Sequence, residues 1–274
     1  MAKPKTAEAT EAIATTGTTA MVEYDYGDDE GKGFEHQTKA DTSIPFIVLF
    51  QALSPQVVEG TEKPGSFFNT VTEQIWTKDQ GLLFVPATTR HYFAEWTPRD
   101  QGGGFHGHHE IDEPMVLDSI KRSKKFGKYS TPDGNVLTET FYVYGIICSE
   151  NGEPESMGVI AFWSTKIRSY KSWMSRLHQV RVNTASGKRR PPLYAHLTRI
   201  TSVLKKNTDG NQFYVPVIST GDQRGIYESL IPPSDERFQM AKACAELVDS
   251  GDAKVDFSKQ ADAGDKASGE EVPF

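Results

Sequence analysis

Apolar side chains recur at close intervals through most of the middle of this chain. The segments 43–53 (SIPFIVLFQAL), 82–88 (LLFVPAT) and 90–97 (RHYFAEWT) are rich in β-branched and aromatic residues. In 90–97, Tyr92, Ala94 and Trp96 alternate with His91, Phe93 and Glu95, and turn-forming residues bound the runs. Such segments are typical of β-strands.

Two pairs of strand-like segments predict β-hairpins. ETFYVYGIIC (139–148) and MGVIAFW (157–163) flank the turn sequence SENGEPES, and LYAHLTRITSVL (193–204) and QFYVPVIS (212–219) flank KKNTDGN. Asn, Asp, Gly and Pro between apolar runs favour turns. We therefore expect antiparallel pairing within each pair.

The period changes to a helical one in two places. In 164–180 (STKIRSYKSWMSRLHQV), apolar residues recur every three or four positions from Ile167 to Leu177, with cations on the opposite side. In 234–248 (SDERFQMAKACAELV), a similar repeat follows Ser234, a suitable N-cap. The expected fold is mainly β (α+β): an OB-like small barrel or curved antiparallel sheet, with one inserted basic helix and one C-terminal helix.

Both ends of the chain differ in composition from its middle. Residues 1–40 and 249–274 contain few apolar residues and are rich in Ala, Thr, Gly, Asp, Glu and Lys, which is typical of disordered segments. The sequence therefore predicts a disordered acidic N-terminal arm (1–40), a β-rich body (41–248) and a disordered acidic tail (249–274).

Several absences in the sequence limit where the protein is expected to act. No apolar run is long enough to span a membrane, and the first residues lack the apolar stretch of a secretory signal. Cys148 and Cys244 form neither a metal-binding nor a redox pattern, which favours a reducing compartment. We expect a cytoplasmic protein (host cytoplasm if a phage encodes it) without a membrane partner; homo-oligomerisation stays open.

Charge is strongly segregated along the chain. The formal net charge is −7, yet residues 156–208 contain no Asp or Glu and eleven Lys or Arg. The run KRSKKFGKY (121–129) adds five further cations. A solvated charged surface is the ordinary alternative, but a basic segment of this length favours an anionic partner. The body (41–248) is accordingly expected to bind nucleic acid.

Candidate contacts to nucleic acid are of two kinds, because cations hold phosphates and aromatic rings stack on unpaired bases. The phosphate-binding candidates are Arg99, Lys121, Arg122, Lys124, Lys125, Lys128, Lys166, Arg168, Lys171, Arg176, Lys188, Arg189 and Arg190. The stacking candidates are Trp163, Tyr170, Trp173 and Tyr194. An ordinary place in the core is the alternative for each ring.

The acidic tail ends in GEEVPF (269–274). This ending resembles the C-terminal tip of bacterial single-stranded DNA-binding proteins, and it is similar to the acidic, Phe-terminated tails of podophage single-stranded DNA-binding proteins. The resemblance implies a docking peptide for replication and recombination proteins. Its residues here are Glu270, Glu271, Val272, Pro273 and Phe274.

Two motifs in the body, LFQALSP (49–55) and WTPRDQGGG (96–104), are similar to those of a group of tailed-phage proteins. With the tip and the basic middle, they predict a phage protein that binds and protects single-stranded DNA, independently of sequence, in replication or recombination. The sequence contains no P-loop, nucleophile elbow or dinucleotide-binding glycine motif. We therefore expect a binding protein without enzymatic activity or cofactor.

A histidine-rich segment, GGGFHGHHEIDE (102–113), leaves a second possibility open. Its imidazoles (His106, His108 and His109) and carboxylates suit Zn²⁺ or Mn²⁺ chemically, but their spacing matches no common metal motif. A polar surface loop without a metal is therefore favoured. The alternatives are a metal-dependent nucleic-acid enzyme using His106–Glu113 and a virion or assembly protein that contacts DNA.

Overall fold

The computed structural model describes Lys32 and residues 43–98, 101–123, 127–206 and 210–257, with no side-chain description at Thr165. The chain divides into two units, Met1–Gln37 and Thr38–Phe274. The strands and helices of the described residues lie in the second unit. The predicted arm (1–40, apart from Lys32) and the last part of the predicted tail (258–274) lie outside the described residues.

Strands dominate the described residues. The strands are β1 (Phe46–Leu49), β2 (Phe67–Asn69), β3 (Ile75–Trp76), β4 (Leu82–Trp96), β5 (Phe105–His109), β6 (Tyr129–Ser130), β7 (Val136–Cys148), β8 (Pro154–Trp163), β9 (Val182–Thr184), β10 (Gly187–Arg189), β11 (Thr198–Lys206) and β12 (Gln212–Thr220). The helices are α1 (Pro55–Val58), α2 (Pro114–Arg122), α3 (Ile167–Leu177) and α4 (Glu236–Asp249). Short 3₁₀ helices lie at Ser164–Lys166 and Leu193–Ala195.

Ten strands form one sheet that curls into a half-barrel. The strand order is β12-β11-β4-β7-β8-β1-β2-β3, with β5 beside β4 and β6 beside β7. All neighbours are antiparallel except β1 and β8, which run parallel. The predicted hairpins are confirmed as β7–β8 and β11–β12. The expected mainly β class, with a basic helix between strands and a helix after the last strand, is also confirmed.

The longest pairing, between β4 and β7, forms the centre of the sheet. It runs from Leu83 opposite Cys148 to Trp96 opposite Val136. The sequence predicts two separate strands here, but the structure has one, because the register shifts between Pro86 and Thr88. A bulge lets a strand continue past a proline, which cannot donate a ladder hydrogen bond.

Helices cover both faces of this central pair. On one face, α4 packs through Phe238, Ala241 and Cys244 onto a core that includes Tyr142 and Tyr144. On the opposite face, α2 contributes Val116 to a cluster with Phe93 and Leu137, and α3 contributes Tyr170 to a cluster with Phe141. Alternation along β7 explains the division, since its even-numbered and odd-numbered side chains point to opposite faces in this stretch.

Three elements differ from the expectations drawn from sequence. Residues 182–189, for which the sequence predicts no strand, form the hairpin β9–β10, and the predicted histidine-rich loop contains strand β5. Helix α2 has no sequence-based counterpart. The N-cap of α4 is Asp235, whose side chain accepts a hydrogen bond from the Arg237 N–H, rather than Ser234.

The packed body also extends past the predicted boundary at Val248. Val255 bridges Ile44, and the ring of Phe257 lies 5.7 Å from that of Phe46 and 4.1 Å from that of His108. Two apolar side chains in an otherwise polar tract are enough to hold 253–257 against the sheet, because both find apolar partners there.

Candidate nucleic-acid interface

The two helices that carry predicted phosphate-binding residues pack on the same face of the sheet. Helix α3 lies over Phe141, whose ring centroid is 4.5 Å from that of Tyr170. Helix α2 lies over Leu137, four residues earlier in the same strand. Four residues of a strand span about 13 Å, so the two helices cover adjoining parts of the same face. The structure thus brings the two basic clusters to one side, while α4 covers the other.

Helix α3 presents its cations to solvent because its aromatic residues face inward. Arg168 and Lys171 are exposed. Lys171 Nζ lies 3.7 Å from the Glu139 carboxylate and 5.4 Å from the centroid of the Phe141 ring. Arg176 is also exposed, but its guanidinium donates to the Ile218 carbonyl of β12. Arg176 therefore helps to fix α3 on the sheet, which reduces its availability to a ligand.

The second basic cluster lies at the C-terminal end of α2. Lys121 and Arg122 are exposed, with Lys121 Nζ 3.7 Å from the Asp118 carboxylate. Arg122 donates to the backbone carbonyl of Asp118 and to Ser119 Oγ. Lys128 is half-buried just before β6. The remaining candidates of this region, Lys124 and Lys125, lie outside the described residues, as does Arg99.

The third basic cluster is the hairpin that follows α3. Lys188 and Arg189 on β10 and Arg190 after it are exposed. Among the residues that the structure describes, no carboxylate lies within ion-pair distance of these three side chains or of Arg168. Uncompensated cations at exposed positions attract anions most strongly. These four residues are the strongest phosphate-binding candidates.

The predicted stacking residues do not lie among these cations. Tyr170 and Trp173 are only 6% and 4% exposed, since their positions on α3 face the core. We therefore withdraw both as stacking candidates. Trp163 is half-buried beneath Lys166, whose Nζ lies 3.7 Å from the ring centroid. Tyr194 is half-buried and packs edge-on against Phe238 of α4. Both of these rings border the core on the α4 side.

Two carboxylates on the face shared by α2 and α3, those of Glu95 and Glu139, are hydrogen-bonded to neighbouring side chains. The Glu139 carboxylate lies 3.1 Å from His91 Nε2. This hydrogen bond lowers the pKa of Glu139 more than burial raises it, and the nearby Lys171 ammonium lowers the pKa further. Glu95 lies 2.7 Å from His109 Nε2 and accepts from the Asn135 amide at 2.6 Å. Burial opposes ionisation of Glu95, but these hydrogen bonds outweigh it and lower its pKa. Glu95 and Glu139 are therefore both engaged by neighbouring side chains of this face.

His109 joins three elements through its two ring nitrogens. Nε2 contacts Glu95 on β4, and Nδ1 lies 3.0 Å from the carboxylate of Glu113, the N-cap residue of α2. Burial lowers the pKa of His109, but the hydrogen bonds to both carboxylates outweigh burial and raise it. His109 thus ties the start of α2 to β4 and β5.

The other histidines of β5 point elsewhere, so the three imidazoles do not converge. His106 Nε2 lies 2.6 Å from Thr97 Oγ1, and His108 Nε2 lies 2.8 Å from the Tyr142 hydroxyl on the α4 side. Burial lowers the pKa of His108 to about 4. Within the described residues, no group of three or more His, Cys, Asp or Glu side chains is arranged to hold a metal ion.

The sequence of this chain also matches a known protein family. A family model described as Pam3 phage gp34-like protein matches residues 14–254. The chain belongs to the Pam3 phage gp34-like family. The name of the family indicates a bacteriophage origin. No curated protein and no solved structure matches the chain. In the part of the chain that the structure describes, no helix has both the length and the apolar character needed to cross a membrane.

Proposed function

We propose that this protein binds single-stranded DNA independently of sequence and protects it during phage replication or recombination. The observation that carries the proposal is the placement of α2 and α3 on one face of the sheet, with their cations exposed. The hairpin that directly follows α3 adds further cations. Phosphate contacts of this kind supply most of the affinity of non-specific nucleic-acid binding.

The segregation of charge across the sheet supports the same proposal. Helix α4, on the opposite face, carries Glu236, Glu246 and Asp249. On the basic face, the carboxylates of Glu95 and Glu139 are paired with histidines. Arg237 and Lys242 offset part of the charge of α4, and Glu246 and Asp249 lie in ion pairs with Lys242 and Arg90. A polyanion would therefore be attracted mainly by the exposed cations of α2 and α3.

The burial of Tyr170 and Trp173 changes the proposed mode of binding. Bases would not stack on α3, so most of the affinity is assigned to phosphate contacts. Trp163 and Tyr194 border the core on the α4 side, so neither ring lies on the proposed phosphate-binding face. The curled sheet would then serve as the scaffold for a phosphate-binding face; an OB-like barrel remains a prediction from sequence.

We further propose that Glu270 to Phe274, together with the acidic residues before them, dock replication or recombination proteins. The support is the resemblance of this segment to known docking tips, and the segment lies outside the described residues. Removal of Val272, Pro273 and Phe274 should leave the affinity for DNA equal or tighter and abolish recruitment of such proteins. Persistent recruitment in a pull-down with the truncated protein would refute the docking role.

A comparison of labelled oligo(dT) with a duplex of equal length tests the DNA-binding proposal. Fluorescence anisotropy at low salt should show tighter binding of oligo(dT). Absence of oligo(dT) binding would contradict the proposal. Equal affinity for both DNAs would instead favour a virion or assembly protein that contacts packaged DNA.

A further inference from the structure

Strands β9 and β10 form a two-stranded ribbon outside the main sheet. In the described part of the chain they pair only with each other, with Thr184 opposite Gly187 and Val182 opposite Arg189. From 181 to 190 every residue is exposed except Val182, which is half-buried. The side chains of this ribbon are therefore accessible to a partner.

Both ends of the ribbon are fixed to the body. Val180, just before it, is 2% exposed. Arg181 Nη1 donates to the carbonyls of His178 at 2.6 Å and Val180 at 2.8 Å. After the ribbon, Pro191 and Pro192 restrict the backbone. A ribbon held at both ends projects in a defined direction, which lowers the entropy cost of binding.

The ribbon carries cations on both of its faces. Side chains alternate along a strand, so Lys188 lies on one face with Asn183, and Arg189 lies on the other with Val182. A single strand of nucleic acid running over the ribbon would meet only one face. Two walls of phosphates, one on each side of an inserted ribbon, occur in the groove of a duplex.

The size of the ribbon agrees with such a groove. Three residues in each strand extend about 10 Å, and the strands are about 4.8 Å apart. The major groove of B-form DNA is about 12 Å wide and about 8.5 Å deep, and it admits a two-stranded β-ribbon. The turn at the tip consists of Ala185 and Ser186, whose small side chains would not obstruct entry.

We propose that the β9–β10 ribbon inserts into the major groove of double-stranded DNA that adjoins a bound single strand. Lys188 and Arg189 contact phosphates on opposite walls of that groove. This inference rests on the proposed single-strand binding, because the ribbon directly follows α3. It adds a preference for junctions between single-stranded and double-stranded DNA.

A double variant, Lys188→Ala with Arg189→Ala, tests the inference on two DNAs: oligo(dT) alone and oligo(dT) joined to a short duplex. We expect weaker binding of oligo(dT), because both cations belong to the proposed phosphate-binding face, and an additional loss of about tenfold in the binding of the junction. The matched control, Lys205→Ala with Lys206→Ala, removes two exposed cations from the end of β11. The control should affect both DNAs equally.

Equal losses on both DNAs in the ribbon variant, or no loss on the junction, would overturn the inference. A third DNA is a junction whose duplex pyrimidines carry bulky groups at C5, and these groups fill the major groove. The protein should bind this modified junction no more tightly than oligo(dT) alone. Binding as tight as that of the unmodified junction would exclude insertion into the major groove. Failure of the wild-type protein to bind oligo(dT), with ribbon-dependent binding to a duplex alone, would refute the proposed function and the junction preference, and would leave only the contact between the ribbon and the major groove.

Discussion

The side-chain amide of Gln51 hydrogen-bonds both backbone polar groups of Tyr214. Its Oε1 accepts from the Tyr214 N–H at 2.8 Å, and its Nε2 donates to the Tyr214 carbonyl at 3.1 Å. Gln51 follows β1, which lies inside the sheet. Tyr214 lies on β12, the strand at one end of the strand order, and its backbone N–H and carbonyl point away from β11. The amide therefore acts as a strand neighbour and links two distant parts of the curled sheet.

The same outer edge of β12 is protected at the next two outward positions. Pro216 has no N–H, and the Ile218 carbonyl accepts from Arg176. Unpaired strand edges invite pairing with other chains, and proline or side-chain hydrogen bonds prevent it. The Gln in the LFQALSP motif thus has a structural role that needs no ligand.

Gln51→Ala should destabilise the body because it leaves two backbone groups of Tyr214 without their partners. We expect the free energy of unfolding to fall by about 1–3 kcal/mol. Urea denaturation measures the change. Gln212→Ala, which alters an exposed residue of the same strand, is the matched control and should remain within about 0.5 kcal/mol of wild type. Equal stability of both variants would contradict the assigned role of Gln51.

The cluster of His109, Glu95 and Glu113 should make stability depend on pH. The pKa of His109 is raised above 6.5 in the folded protein. Its contribution to the free energy of unfolding is therefore fully present below pH 6.5 and is lost as the pH rises through the pKa of the folded state. The pKa values of Glu95 and Glu113 are lowered from 4.5, so their contribution is lost only as pH falls through their folded-state values.

His109→Gln isolates the imidazole from other titrating groups. Urea denaturation at about pH 5.5 should show the variant to be less stable than wild type, and the difference should shrink at about pH 8.5. His178→Gln, at an exposed position, controls for loss of a histidine. A difference between wild type and His109→Gln that stays constant over this range would show that proton binding at His109 does not contribute.

The regular elements were predictable from sequence where a long segment kept one period. Helix α3 follows from the spacing of Ile167 and Leu177, and the β7–β8 hairpin follows from two apolar runs around a turn. By contrast, β9 and β10 are only three residues long, and Asn183, Gly187 and Lys188 have low strand propensity. Their hairpin was therefore missed.

The arrangement of the candidate interface was not available from sequence for a different reason. The common face of α2 and α3 depends on the register of β4 and β7, which places Glu139 opposite Phe93. Register between strands more than 40 residues apart leaves no local pattern. Helical spacing could have indicated the inward position of Tyr170, since it lies three residues after Ile167 and seven before Leu177.

Trp173 should contribute to stability rather than to DNA binding. Trp173→Ala removes a large buried side chain, and we expect the free energy of unfolding to fall by about 3–5 kcal/mol. Trp173→Phe keeps most of the apolar volume and should cost less. A stacking residue would behave in the opposite way: the alanine variant would keep its stability and lose affinity for oligo(dT).

Arg168 should contribute one phosphate contact. Arg168→Ala should weaken oligo(dT) binding and make the slope of log K against log salt less steep by about 0.7, the single-strand value for one phosphate. Lys242→Ala removes an exposed cation from α4, on the opposite face, and should change neither quantity. Equal effects of the two substitutions would show that binding is not confined to the face of α2 and α3.

The salt dependence of oligo(dT) binding by the wild-type protein tests the central claim most directly. If the exposed cations of α2, α3 and the β9–β10 ribbon neutralise about six phosphates, log K should fall with log salt at a slope of about −4. Anisotropy titrations at several salt concentrations measure this slope. A slope near zero, or no binding at low salt, would contradict the assignment of this face to nucleic acid.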